Sequence, residues 1–147
     1  MFGCFSLMLG FNQSLQLHFD AALVRGADIS WISVNSSKPR RPQGFCLLIH
    51  ATNKWAEEHL DDDREIMMEY LCGETSRIID QNIAFAEHKA IHGWRYANIE
   101  KQEDREPLID FDRRLAACGD WCIQGSVEAA YTSGFNIARA IRDVIKK

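Results

Sequence analysis

The chain is expected to be an α+β protein, a mostly antiparallel sheet with helices packed beside it and a long helix at its C-terminal end. Three features predict this. Up to residue 51 short apolar runs alternate with turn signals, as strands do. Between residues 52 and 79 the apolar spacing lengthens to that of helices, and from Ser126 a helical spacing continues toward the C-terminus. No repeat or low-complexity segment interrupts the order, so one domain over residues 1–147 is expected.

Phe2 to Phe11, rich in Phe, Leu and Met and closed by Gly10 and Asn12-Gln-Ser14, reads as a central strand. It is too short to span a bilayer and lacks the basic start of a signal peptide. A buried strand at residue 2 leaves no room for a leader, which is expected of a portion of a longer parent. Leu15 to Phe19 and Ala21 to Val24 read as short extended pieces, followed by a turn at Arg25-Gly26-Ala27-Asp28. Ile29 to Val34 alternates as a strand with one wet face. Two prolines make Asn35 to Pro42 a loop, and Phe45 to His50, apolar on both faces, is a second central strand.

Thr52 or Asn53 can cap a short helix running through Leu60. Asp62 with Glu65 three residues on resembles a capping box for a second helix, with Ile66, Met67, Tyr70 and Leu71 on one side and the pattern resuming after Gly73. Phe85 to Tyr96 reads as a strand, Asn98 to Pro107 as a charged loop, and Leu108 to Asp110 as a short strand. Leu115 to Cys118 is a last strand, Gly119 and Gly125 permit a turn, and Ser126 or Gly125 can cap the final helix. On that helix Val127, Ala130, Gly134, Ile137 or Ala138, Ile141 and Val144 are expected to line the packed face. Its first N–H groups point back over the turn and offer an anion site.

Composition limits the function classes. An apolar fraction of 46% with 26% charged residues is that of a folded globular protein. With 17 basic and 21 acidic side chains the net charge is −4, and Lys38, Arg40 and Arg41 form only a local basic cluster, so no nucleic-acid surface is expected. The five cysteines are odd in number and scattered through apolar stretches, which points to thiols in a reducing compartment, the cytoplasm. Cys118 and Cys122 span the turn and do not form a redox pair of C-x-x-C type. The histidines show no zinc spacing with the cysteines, and no metal is expected.

The segment CGDWCIQGSVEAAYTSG at 118–134 resembles the C-terminal flavin-contacting segment of the renalase-like NAD(P)/FAD-dependent oxidoreductases, in the flavin amine oxidase superfamily. SLMLGF at 6–11, DISWISVNSSKPRRP at 28–42, HLDDD at 59–63 and WRYA at 94–97 resemble the same family's successive blocks in the same order. The resemblance implies the fold of that family's substrate domain, with 114–146 as a flavin-contacting strand, turn and helix. It implies FAD as cofactor, touched by Gly119, Asp120, Trp121, Gly125, Ser126, Val127 and Glu128. Asp120 would accept hydrogen bonds from ribityl hydroxyls and Trp121 would wall the isoalloxazine ring; capping of the turn by Asp120 and packing of Trp121 in the core is the other reading.

Trp31, Trp94, Arg95 and Tyr96 are the candidate substrate-pocket residues, with Lys38 bordering the cavity; a packed Trp31 and a solvated Lys38 are the other reading. In a strand Trp94 and Tyr96 share one face and Arg95 takes the other. Gly93 stands where the family shows a basic residue, and His88 and His92 read as ordinary sheet histidines. No catalytic side chain is expected, because in such enzymes the flavin carries the hydride chemistry. The sequence has no G-x-G-x-x-G and no complete Rossmann unit. The chain is therefore expected to be inactive alone, not to hold FAD tightly, and to need a complementary dinucleotide-binding chain or a second copy of itself. The alternative is a non-enzymatic small domain working through self-association or a protein partner.

Overall fold

In a computed structural model, residues 1–42, 44–102 and 107–145 are described. The fold is α+β. Its elements in chain order are β1 (Phe2–Phe11), β2 (Ala21–Leu23), β3 (Ile29–Val34), β4 (Phe45–Ala51), α1 (Asn53–His59), α2 (Arg64–Ile79), β5 (His88–Asn98), β6 (Leu108–Asp110), β7 (Leu115–Ala117) and α3 (Val127–Ile145). The chain divides into two compact units, Phe2–Ala97 and the residues from Asn98 onward. The division falls upstream of the 114–146 segment that the sequence sets apart.

The first unit is built on a five-stranded sheet in the order β2-β3-β4-β1-β5. The ladders β1/β4, β3/β4 and β2/β3 are antiparallel. β1 and β4 are central because both are apolar along their length. Leu7 pairs with Ile49 and Leu9 with Leu47, and all four are almost wholly buried. This face receives the helices: Trp55 of α1 meets Phe5 edge-on at 5.5 Å, and α2 contributes Met67, Leu71 and Thr75, four residues apart on one stripe. The opposite face carries Ser6 and Met8 of β1, Leu48 and His50 of β4, and Trp31 and Ser33 of β3.

Four elements differ from expectation, each for a local reason. Leu15 to Phe19 forms no strand, because the Gln81 side chain supplies the partner that a strand would: Oε1 accepts from Gln16 N–H at 3.3 Å and Nε2 donates to Gln16 C=O at 2.7 Å. β5 begins at His88 because Phe85 lies in a turn held by Ala86 N–H to Ile83 C=O and by Asn82 Oδ1, which accepts from Ala84 N–H. α2 is capped by Asp63, whose carboxylate accepts from Glu65 N–H at 2.9 Å and Ile66 N–H at 3.2 Å, while Asp62 instead receives the His59 Nδ1 contact at 2.6 Å. That helix then runs unbroken through Gly73. The alternation of β3 is shifted between Ile29 and Trp31, where the Ser30 hydroxyl donates toward both His50 C=O and Ala51 C=O.

The second unit holds the antiparallel hairpin of β6 and β7 and the long helix α3. The buried stripe of α3 is Ala129, Ser133 and Ile137. Val127, Ala130 and Val144, expected on the packed face, are exposed. The small residues Ala129 and Ser133 allow close packing, and the larger apolar side chains of the first turns point outward. Among the described residues no helix is long and apolar enough to cross a membrane.

Candidate functional site

The expected strand, turn and helix of the second unit are formed. Asp110 pairs with Leu115 and Leu108 with Ala117, so the hairpin delivers the chain to Gly119. A single 3-10 turn follows at Asp120–Cys122, closed by Cys122 N–H to Gly119 C=O at 3.1 Å and Ile123 N–H to Asp120 C=O at 3.0 Å. Gly119 N–H donates to Ser133 Oγ at 3.2 Å, which ties the turn to the middle of α3. Ser126 caps that helix: its Oγ accepts from Ala129 N–H and its C=O from Ala130 N–H, both at 3.1 Å.

A side chain at Gly119 would have to displace the Trp121 ring. A Cβ there would fall 2.4 Å from Nε1 and 2.7 Å from Cδ1 of Trp121, whose indole folds back over the turn. Gly125 has no such constraint, since its nearest neighbour, Ile99, would stand at an ordinary 3.6 Å. Asp120 Oδ1 accepts from Trp121 N–H at 2.9 Å, so the carboxylate does close its own turn. Trp121 is not a core residue, being 36% exposed.

A flavin is the group that the resemblance implies here, and the donor set can be compared with its charged and its uncharged parts. Residues 119–128 offer two carboxylates, Asp120 and Glu128, and no basic side chain. A phosphate placed there would meet two negative charges against one helix terminus, whose attraction is about 0.3–2 kcal/mol. The ribityl hydroxyls and the ring system are uncharged and suit it better. Asp120 Oδ2, which takes no hydrogen bond among the described residues, and Glu128 can accept from hydroxyls, and the Trp121 indole offers an apolar wall. Beyond the turn, Val127, Tyr131 and Phe135 are 83%, 74% and 56% exposed. Spaced by four, they form one outward apolar stripe along the first turns of α3, with the Tyr131 and Phe135 rings stacked at 6.3 Å. A second apolar cleft of about 510 Å³, lined by Ile109, Phe111, Leu115, Ile141, Val144 and Ile145, lies at the far end of α3. It is about 20 Å along the helix from the turn.

The substrate-pocket candidates lie in the first unit. Arg95 and Trp94 point to opposite sides of β5, as the alternation requires. Arg95 Nη2 donates to Asp61 Oδ1 at 2.6 Å, joining the HLDDD and WRYA blocks; this carboxylate raises the guanidinium pKa, and the exposed pair is a surface tie rather than a ligand clamp. Gly93 lies on the same side as Arg95, with its Cβ position 3.0 Å from Phe5 and 3.3 Å from the Arg64 guanidinium. Arg64 sits over the Phe5 ring at 4.9 Å, so the space for a basic side chain at 93 is already taken by one from α2.

Trp31, Trp94 and Tyr96 share the face away from the helices, but β4 and β1 lie between β3 and β5. Three strand spacings separate Trp31 from β5, roughly 14 Å. Between them stand two residues the sequence reading passed over, Ser6 and His50. Ser6 Oγ lies 3.1 Å from His50 Nδ1, and Cys4 Sγ lies 3.7 Å from the same nitrogen. Burial, and secondarily Lys38, lower the His50 pKa, and burial raises that of the Cys4 thiol. The Cβ positions of Gly10 and Gly93 lie against His88 and Phe5, which sets Ser6 level with His92, itself 4.2 Å from the Trp94 ring. Trp31, His50, Ser6 and His92 therefore form a row across the sheet, aromatic at its ends with an imidazole–hydroxyl pair at its centre. The visible signal was His50 closing an otherwise apolar strand; its partners are distant in sequence.

All five cysteines are free thiols, with Cys46 and Cys118 exposed. Scanned against protein-family models, the chain matches none.

Proposed function

We propose that residues 1–147 are the substrate-side portion of an FAD-dependent oxidoreductase of the renalase-like, amine oxidase-like kind, working in the cytoplasm with a dinucleotide-binding half supplied from outside these residues. The observation that carries this reading is the end of α3 next to the Gly119–Cys122 turn. Carboxylate acceptors and an indole suited to the uncharged part of a flavin sit beside the exposed Val127, Tyr131 and Phe135 stripe, an apolar strip that a second protein surface would cover. The row of Trp31, His50, Ser6 and His92 supports a substrate face on the sheet, with Trp94 and Tyr96 at its edge. The flavin would supply hydride transfer when bound; Asp120, Glu128 and Trp121 would hold and orient it.

This portion alone is not expected to retain FAD. The adenosine and pyrophosphate contacts of such a cofactor belong to the dinucleotide-binding half, and association costs at least about 4 kcal/mol in lost freedom that the few contacts at this turn must first offset. The purified chain should be colourless and larger than a single chain by light scattering at micromolar concentration. Mixing it with a family-type dinucleotide-binding half should give a yellow complex, and Asp120→Ala or Trp121→Ala should weaken flavin retention there. A chain that keeps flavin through gel filtration by itself would overturn the divided-site reading. A stable self-associated chain that never gains flavin from such a half would favour the non-enzymatic alternative.

A further inference from the structure

The outward side of α3 is laid out symmetrically about Phe135, with charges of opposite sign toward its two ends. Glu128, Tyr131, Phe135, Arg139 and Arg142 recur at helical spacings of three and four, so they fall on one seam, away from the buried Ala129, Ser133 and Ile137. All five are exposed. Phe135 lies midway between Glu128 and Arg142, and midway between Tyr131 and Arg139. The Tyr131 and Phe135 rings are stacked at 6.3 Å, so the centre of the seam is aromatic. Among the described residues neither Glu128 nor Arg139 forms an ion pair, and Arg142 reaches only its exposed neighbour Asp143, at 3.5 Å.

We propose that a second copy of the chain docks on this seam, the two α3 helices running antiparallel about a two-fold axis that passes between the Phe135 side chains. The Phe135 ring then meets its counterpart, Tyr131 faces Arg139 of the second copy, and Glu128 faces Arg142 of the second copy. Each of the last two contacts occurs twice, as a two-fold interface requires. A guanidinium over a phenol ring is attracted to it, and a carboxylate opposite a guanidinium more so. Antiparallel packing also sets the positive end of each helix dipole beside the negative end of the other. A parallel pair would bring Glu128 onto Glu128 and Arg142 onto Arg142, so the charges select against it. This complementarity names the occupant: a surface balanced about one residue is what self-pairing needs and what an unrelated partner does not. The proposal uses α3 alone and stands apart from the flavin reading, although a dinucleotide-binding half would compete for the same strip.

The test is sedimentation of the whole chain at rising micromolar concentration. The native chain should sediment as a dimer, while Glu128→Arg and Arg142→Glu should each weaken self-association about tenfold, because each sets like charges opposite one another at both ends of the pair. Mixed in equal amounts, the two variants should recover the dimer, since opposite charges then face each other again at both ends. A merely sticky strip would not behave this way. Should circular dichroism show either reversal unwinding α3, Phe135→Ser, which leaves both charges in place, serves instead and should give the single-chain mass. Self-association unchanged in the variants, or no recovery on mixing two folded ones, would overturn the proposal. A native chain that keeps the single-chain mass until a dinucleotide-binding half is added would assign the strip to that half and overturn it likewise.

Discussion

Gly119 and Trp121 act as one unit, since the indole occupies the space where any side chain at 119 would stand. Gly119→Ala should therefore displace the indole, and a shift of Trp121 fluorescence, read against Trp121→Phe, checks it; unchanged emission would mean the ring is not held there. His50 is the residue whose charge state the fold controls. Its folded pKa is lowered by burial, while an unfolded histidine titrates near about 6.5. Above that pH both states are neutral and stability is full. As pH falls through it the unfolded chain takes up a proton that the folded chain refuses, so stability is lost toward the lower folded pKa. The urea midpoint should fall more between pH 7.5 and 5.5 in the native chain than in His50→Gln, where the carboxamide can still accept from Ser6. Equal slopes would place the pH sensitivity elsewhere. At this scale the turn residues were legible, because Gly, Asp and Trp between a strand and a helix mark themselves locally. The Ser6 and His50 pair was not, because its members are 44 residues apart and only strand register brings them together.

Helix starts show how near a local pattern comes to the truth. The spacing of Asp62 and Glu65 points to a cap at 62, but it is Asp63 whose carboxylate meets the first free N–H groups of α2. Asp63→Ala should cost about 1 kcal/mol and Asp62→Ala clearly less in chemical denaturation. The reverse order would restore the sequence assignment. Gly93→Val should destabilise β5 by about 1–3 kcal/mol, because the added carbons meet the fully buried Phe5 and the Arg64 side chain. A neutral effect would show that Arg64 swings away at no cost. β1, β3 and β4 were legible because Gly, Asn and Pro close their apolar runs. Leu15 to Phe19 was not, since its backbone partner is a side chain contributed from residue 81. On α3 the periodicity is ambiguous because apolar residues occupy two opposite stripes, and only packing decides that the small ones are inside.

The buried hydrophobic cluster, from Phe5 to Ala86, lies wholly in the first unit, whereas the second buries little beyond Cys122, Ala129 and Ile137. Stability should follow that division. Hydrogen exchange should find the amides of β1 and β4 slowest and those of β6, β7 and α3 opening well before them. Uniform protection across both units would contradict this. The α+β class was legible from period alone, whereas the boundary at Asn98 was not, because the unit divides at the end of a continuous strand.

The outermost strand of the sheet also governs how the protein fares in concentrated solution. β2 closes one edge with only three residues, but β5 closes the other with eleven and carries exposed Trp94 and Tyr96. A long edge of this kind is a template on which further copies can add. Lys89 counters that growth, since strands stacked in register about 4.8 Å apart would bring its like charges together at every layer, whereas the Arg95 charge is already paired with Asp61. Lys89→Val is therefore expected to leave a folded protein that scatters more light on standing at high concentration, and unchanged scattering would mean that this edge is no template for growth.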